Sequence, residues 1–177
     1  MNVIICKDYA AVSAAGADII EKAVREKPDC TLGLATGSSP VGMYQELARR
    51  CHEEGLDFSK VHSVNLDEYV GLAPDHDQSY RWFMDDNLFN HINIDKANTY
   101  VAKGVGDVEA NLAEFNAVLD RTDIDVQVLG VGPDGHLGFN DILLPPLLAQ
   151  LILSLKKSKS ITMTETVLQQ LQQQVRH

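Results

Sequence analysis

The sequence predicts an α/β fold: a doubly wound, mostly parallel sheet with helices on both faces. Two observations carry that expectation. Short apolar runs of strand length alternate along the chain with longer segments whose apolar residues recur at helical spacing. Two of those runs, residues 31–35 and 124–131, break at once into glycine-rich turns. Open α/β sheets bind ligands just beyond the carboxyl ends of their strands.

Taken in order, residues 2–6 (NVIIC) suit a first buried strand. Asp8 is placed to cap a helix with apolar residues at Val12, Ala15, Ile19, Ile20 and Val24, stopped by Pro28. Residues 31–35 form the second strand. The turn Thr36-Gly37-Ser38-Ser39-Pro40 follows, then a helix to about Glu53. A third strand over 61–66 ends in Asp67-Glu68-Tyr69-Val70-Gly71. Asp77 or Ser79 starts a helix through Trp82, Phe83, Leu88 and Phe89, whose aromatics read as core, while His76 and His91 read as surface or packing residues. A fourth strand is expected over 98–102. An amphipathic helix over 107–119 then presents Val108, Leu112, Phe115, Val118 and Leu119, and the strand over 124–131 closes the pattern.

Length suggests one domain with room for a real core. The net charge of −10 argues against nucleic acid as a partner. An anionic small molecule is compatible with it, because backbone N–H groups hold anions locally. Cys6, Cys30 and Cys51 show no metal-ligand or CxxC spacing. An odd count, with no visible leader, reads as three buried, reduced thiols in a cytoplasmic protein. Past residue 140 the composition changes. All 12 glycines and all 11 aromatic residues precede Asn140, and the last 37 residues carry a net charge of +2 against −12 before them. Residues 142–155 are uncharged but interrupted by Pro145-Pro146 and too short for a membrane span. We therefore expect an α/β unit over 1–140 and an unrelated tail over 141–177, apolar and then glutamine-rich.

Three stretches carry groups with chemistry. A strand, a Gly/Ser/Thr turn and a helix N-terminus make an anion cradle from N–H groups, the helix dipole and hydroxyls at Thr36, Gly37, Ser38 and Ser39. No Gly-Lys-Ser/Thr follows, so a nucleoside triphosphate is not favoured. The same residues also cap helices with no ligand, and spacing does not separate the two. Asp67 reads either as a general base or, with Glu68, as a solvated turn; neighbouring side chains diverge, so one of the pair faces any given cleft. The third stretch, Gly130-Val131-Gly132-Pro133-Asp134-Gly135-His136-Leu137-Gly138-Phe139-Asn140, sets one carboxylate and one imidazole in a glycine-rich loop.

In order and spacing, residues 34–40 (LATGSSP), 65–72 (NLDEYVGL) and 130–140 (GVGPDGHLGFN) together resemble the glucosamine-6-phosphate deaminase family, over residues 1–140. The related 6-phosphogluconolactonases look similar around the Asp-Gly-His loop. They carry Asp-Glu-Arg where this chain has Asp67-Glu68-Tyr69, which favours the deaminase over the lactonase-type hydrolase. The resemblance implies a Rossmann-like sugar-phosphate isomerase fold and conversion of glucosamine 6-phosphate and water to fructose 6-phosphate and ammonium. It implies that His136, oriented by Asp134, opens the sugar ring, that Asp67 moves the proton from C2 to C1, and that residues 36–39 hold the 6-phosphate. It implies no metal and no cofactor, with a small sugar phosphate as partner. Self-association is left open. The family continues with Glu-Pro after Phe-Asn, where this chain has Asp141-Ile142. Asp141 is one methylene shorter than the glutamate of the ring-opening group, and likeness ends there. A frameshift or shortened reading frame produces that signature, and it leaves a non-catalytic sugar-phosphate binder as the alternative.

Overall fold

The computed structural model describes residues 3–130 and the backbone of Ile161 and Thr162. The order is α1 (Tyr9–Glu26), β1 (Thr31–Leu34), α2 (Val41–Glu54), β2 (His62–Asn65), α3 (Tyr80–Asn87), two short 3-10 turns (Phe89–His91 and Lys96–Asn98), β3 (Thr99–Tyr100), α4 (Val108–Arg121), β4 (Val126–Val128) and β5 (Ile161–Thr162). The five strands form one sheet in the order β3-β2-β1-β4-β5. Every pairing is parallel. This is the expected α/β class.

The helices start where their caps dictate. Asp8 accepts the Ala11 N–H at 2.8 Å, Ser79 accepts that of Trp82 at 3.0 Å, and Asp107 accepts that of Ala110 at 2.8 Å. Pro28 lies two residues past the end of α1. Gly55 ends α2 at φ +66°, a backbone state open to glycine without strain.

Register divides the core. Leu32 and Leu34 of β1 stand beside Ser63 and Asn65 of β2, and Leu32 beside Val126 of β4. On that face the leucines and valines merge with Ile20, Val24, Met43, Leu47, Met84 and Phe89 from α1, α2, α3 and the turn after it. Gly33, Val64 and Gln127 alternate to the other face, where Val64 meets Phe115 and Val118 of α4. Tyr100 stacks on Phe115 with centroids 6.0 Å apart. Helices therefore cover both faces. Arg50 binds α1 to α2, its guanidinium within 2.8 Å of Asp18, Glu21 and Glu46.

Several expectations are corrected. Residues 3–6 form no strand, and Val3, Ile4 and Ile5 are exposed at 58%, 60% and 74%. Among the described residues no strand lies beside them to complete a hydrogen-bond ladder. Trp82 is exposed, on the outer side of α3, whereas Phe89 is buried as expected. Val108 and Leu112 are also exposed. At 14 residues α4 is about 21 Å long, and strands of two to four residues give it a packing surface for its second half only. Of the three thiols Cys30 alone is buried; Cys6 and Cys51 are half-buried. Burial pushes the Cys30 thiol up to about 11, which keeps it protonated and unreactive near neutrality. His76 and His91 are exposed, as expected.

Candidate functional site

The parallel register brings the carboxyl ends of β1 and β2 together, with Leu34 opposite Asn65. The fully buried Asn65 side chain donates to the Leu34 carbonyl at 3.2 Å and locks the two strand ends. Two residues beyond this pair stand Thr36 in the loop after β1 and Asp67 in the loop after β2. Chain continuity and sheet register therefore place the expected anion loop beside the expected base. The adjacent strand β4 brings Leu129 and Gly130 out at the same edge.

The loop after β1 is held by two phenols. Tyr44, fully buried on α2, takes the Ala35 N–H at 3.2 Å and donates to the Ala35 carbonyl at 2.6 Å. Burial raises its pKa far above the ordinary phenol value, with the Ala35 backbone acting weakly against this, so it stays a donor. Gly37 adopts φ +92°, left-handed geometry that a side chain would strain. Pro40 occupies the N-cap of α2 and supplies no side-chain bond. Tyr9 of α1 fills that role, accepting the Gly42 N–H at 2.8 Å and donating toward the Ser38 and Ser39 carbonyls, each at 3.1 Å.

The two acidic neighbours after β2 take different roles. Glu68 turns toward α3 and accepts N–H groups from Tyr69 at 2.8 Å, Tyr80 at 2.9 Å and Arg81 at 3.1 Å. A carboxylate at a helix N-terminus satisfies amides that have no partner within the helix and meets the positive end of the dipole. Asp67 is half-buried, and burial first, the Glu68 charge second, push its carboxyl up to about 6. The loop carrying both presses on Gly104, where a Cβ would come within 2.4 Å of the Tyr69 carbonyl and 2.5 Å of the Leu72 carbonyl. Tyr80 closes the group. Its ring lies 4.8 Å from that of Tyr69. Its phenol is shifted upward by burial, by its hydrogen bond with Tyr69 and by the Asp67 charge, with a Thr36 hydrogen bond acting the other way.

The sequence-derived residues thus divide in two. Thr36, Gly37, Ser38, Ser39 and Asp67 gather at one sheet edge; Asp134, His136 and Asp141 lie outside the described residues. Sequence reasoning missed Tyr9, Tyr44, Tyr80 and Asn65. The available signal was a polar group at each of these positions in otherwise apolar or capping segments. Arg81, Trp82, Asp85 and Asp86 line a cleft of about 490 Å³ on the outer side of α3, which shares no residue with this edge. Among the described residues no group of three or more His, Cys, Asp or Glu is placed to hold a metal ion. No helix among them is long and apolar enough to cross a membrane.

A family model described as glucosamine-6-phosphate isomerases/6-phosphogluconolactonase matches residues 8–138. The chain is 52% identical over 143 residues to a glucosamine-6-phosphate deaminase of Clostridium perfringens, covering 80% of this chain and 59% of that protein. A glucosamine-6-phosphate deaminase of a Thermoanaerobacter species is 46% identical over 143 residues, covering 80% of this chain and 56% of its own. Among solved structures, one described as a monomeric glucosamine-6-phosphate deaminase superposes with a TM-score of 0.78 at 39% identity, covering 82% of this chain and 61% of that one. A 6-phosphogluconolactonase from Thermotoga maritima gives 0.64 at 25% identity, covering 77% of this chain and 62% of that one. The chain spans less than two thirds of the length of each of these proteins.

Proposed function

This chain belongs to the family of glucosamine-6-phosphate isomerases and 6-phosphogluconolactonases, and on that premise we propose that it acts on glucosamine 6-phosphate, yielding fructose 6-phosphate and ammonium. The observation that carries the proposal is the pairing at the sheet edge. A half-buried carboxyl with its pKa near 6 stands beside a Gly/Ser/Thr loop that opens a helix.

The 6-phosphate binds the loop at Thr36, Gly37, Ser38 and Ser39 through N–H groups and hydroxyls. Once the ring is open, the Asp67 carboxylate removes the C2 proton. The electron pair left at C2 forms the C1–C2 double bond of an enol-amine while the C1–O1 π pair moves to O1, which takes up a proton from water. The protonated Asp67 carboxyl then returns the proton to C1. The resulting imine at C2 takes up water and expels ammonia, leaving the ketone of fructose 6-phosphate. A carboxyl whose pKa lies near 6 suits both halves of this transfer, being ionised enough to accept the proton and acidic enough to return it. Ring opening is assigned by resemblance to His136 with Asp134 and Asp141. Their residue types fit: an imidazole titrates near neutrality, and a nearby carboxylate orients it.

The identities support the amino-sugar substrate over a lactone, 46–52% to deaminases against 25% to a lactonase structure, as does Tyr69 following Glu68. One observation favours a second reading. The match to the Clostridium perfringens relative spans 143 residues, 59% of that protein, and the alternative reading is a sugar-phosphate binder without turnover. Ammonia release from glucosamine 6-phosphate by the purified chain, with Asp67→Asn as control, separates the two. Turnover abolished by the substitution supports the isomerising deaminase. Binding of fructose 6-phosphate without turnover supports the binder.

A further inference from the structure

We infer that Tyr9 is a positioning residue for the phosphate group, its hydroxyl reaching across from α1 to set the direction of the Ser39 N–H. The inference rests on the reading of residues 36–39 as the phosphate loop. Helices that begin with Ser, Thr, Asp or Asn cap themselves; α2 begins after Pro40, which makes no side-chain capping bond. The Tyr9 hydroxyl supplies the missing cap from a different helix. It accepts the Gly42 N–H at 2.8 Å and directs its single proton toward the Ser38 and Ser39 carbonyls, both at 3.1 Å.

Holding a carbonyl also aims the amide that follows it. Peptide bonds among the described residues are trans, and a planar trans peptide points its C=O and the next N–H in opposite directions. The hydroxyl that draws the Ser38 carbonyl toward α1 therefore turns the Ser39 N–H away from α1. Tyr44 performs the same operation earlier in the loop. It holds the Ala35 carbonyl at 2.6 Å toward α2 and turns the Thr36 N–H the other way. Two phenols thus orient amides at positions 36 and 39 before any ligand arrives, which lowers the ordering a phosphate must impose.

Two further facts single out the hydroxyl. The Tyr9 residue is 42% exposed, so its ring contributes little to the core. Its approach also depends on a glycine. A Cβ on Gly42 would lie 2.8 Å from Tyr9 Cε1, 3.0 Å from the Tyr9 hydroxyl oxygen and 2.4 Å from Ser13 Oγ. Any side chain at position 42 displaces the phenol from the loop.

The test uses the whole chain and Tyr9→Phe, which keeps the ring and removes the hydroxyl. Fructose 6-phosphate is titrated by calorimetry, and the Ser39 amide is followed by NMR during the titration. The wild type is expected to bind with a downfield shift of the Ser39 N–H, the signature of a new hydrogen bond to an anion. Tyr9→Phe is expected to bind about tenfold more weakly, as for loss of one well-oriented hydrogen bond, with a smaller Ser39 shift and a thermal midpoint lowered only by the few degrees that loss of one helix cap costs. Gly42→Ala should reproduce the affinity loss. Equal affinity and an equal Ser39 shift in Tyr9→Phe overturn the Tyr9 inference and leave the loop assignment standing. A wild-type chain that binds no fructose 6-phosphate, or binds it without moving Ser39, overturns the loop assignment and the inference with it.

Discussion

Replacing Asp67 by Asn tests the cost of keeping a base in a partly dry place. Its carboxyl is held at about 6 against an ordinary 3.8, with burial the larger cause and the Glu68 charge the smaller. Two pKa units at 1.36 kcal/mol each set a ceiling of about 3 kcal/mol. Asp67 is only half-buried, so solvent screening reduces this to about 1–2 kcal/mol. The sign follows from proton counts. Between about pH 4 and pH 6 the native state keeps the Asp67 proton while the unfolded chain has released it. Native protein binds more protons there, and stability falls as pH rises. Asn cannot ionise and escapes this loss. Urea unfolding of both proteins at about pH 4 and about pH 7.5 should show near-equal stability at the lower value. At the higher one, Asp67→Asn should be more stable by about 1–2 kcal/mol. Taking the difference between the proteins cancels the other carboxylates. A stability difference that is independent of pH, or an Asn variant that is the weaker at about pH 7.5, would refute the reasoning that a desolvated carboxylate is maintained there at the expense of the fold.

Two other predictions concern the neighbourhood of this group. Glu68→Gln removes the second cause of the raised Asp67 pKa, so the acid limb of the activity profile should move below about 6; the same change weakens the cap on α3 and should lower stability by about 1 kcal/mol, read by urea unfolding. Gly33→Ala places a Cβ 1.9 Å from Oε1 of the fully buried Gln127. It should cost about 1–3 kcal/mol by overpacking, and Gln127→Ala in the same chain should recover most of that loss in a thermal melt.

Much of this was legible from residue order because local chemistry decided it. Asp8 is the cap expected, Ser79 is one of the two helix starts considered, and the helix expected from residue 107 begins one residue later with Asp107 as its cap. Pro28 ends its helix, and the runs around Leu32, Val64 and Val126 are parallel strands. The adjacency of Thr36 and Asp67 was implied by three motifs in register, and the sheet supplies its physical cause in the pairing of Leu34 with Asn65. Long-range properties were not legible. Residues 3–6 have strand composition, yet a strand exists only where a neighbour completes its ladder. Trp82, Val108 and Leu112 obey helical periodicity, but burial depends on whether a sheet extends beneath them. The tyrosines were missed for a related reason. Tyr9 and Tyr44 stand within helices with no local signal of a partner, and their hydroxyls gain meaning from a loop that lies 29 and 9 residues away in sequence. From residue order alone Asp67 reads as a general base or, with Glu68, as a solvated turn. Glu68 proves to be the one that holds α3, which leaves Asp67 as the candidate base.

The central claim is that Asp67 moves a proton between C2 and C1 of a phosphorylated sugar held by the neighbouring loop. The most direct measurement is deuterium incorporation at C1 of fructose 6-phosphate, incubated with the chain and ammonium chloride in D2O and read by NMR. It reports proton removal and return at carbon without requiring net turnover. The account predicts incorporation by the wild type, lost in Asp67→Asn and retained in Glu68→Gln. Incorporation that persists in Asp67→Asn, or its absence from a wild-type chain that binds fructose 6-phosphate, would contradict the assignment of the base.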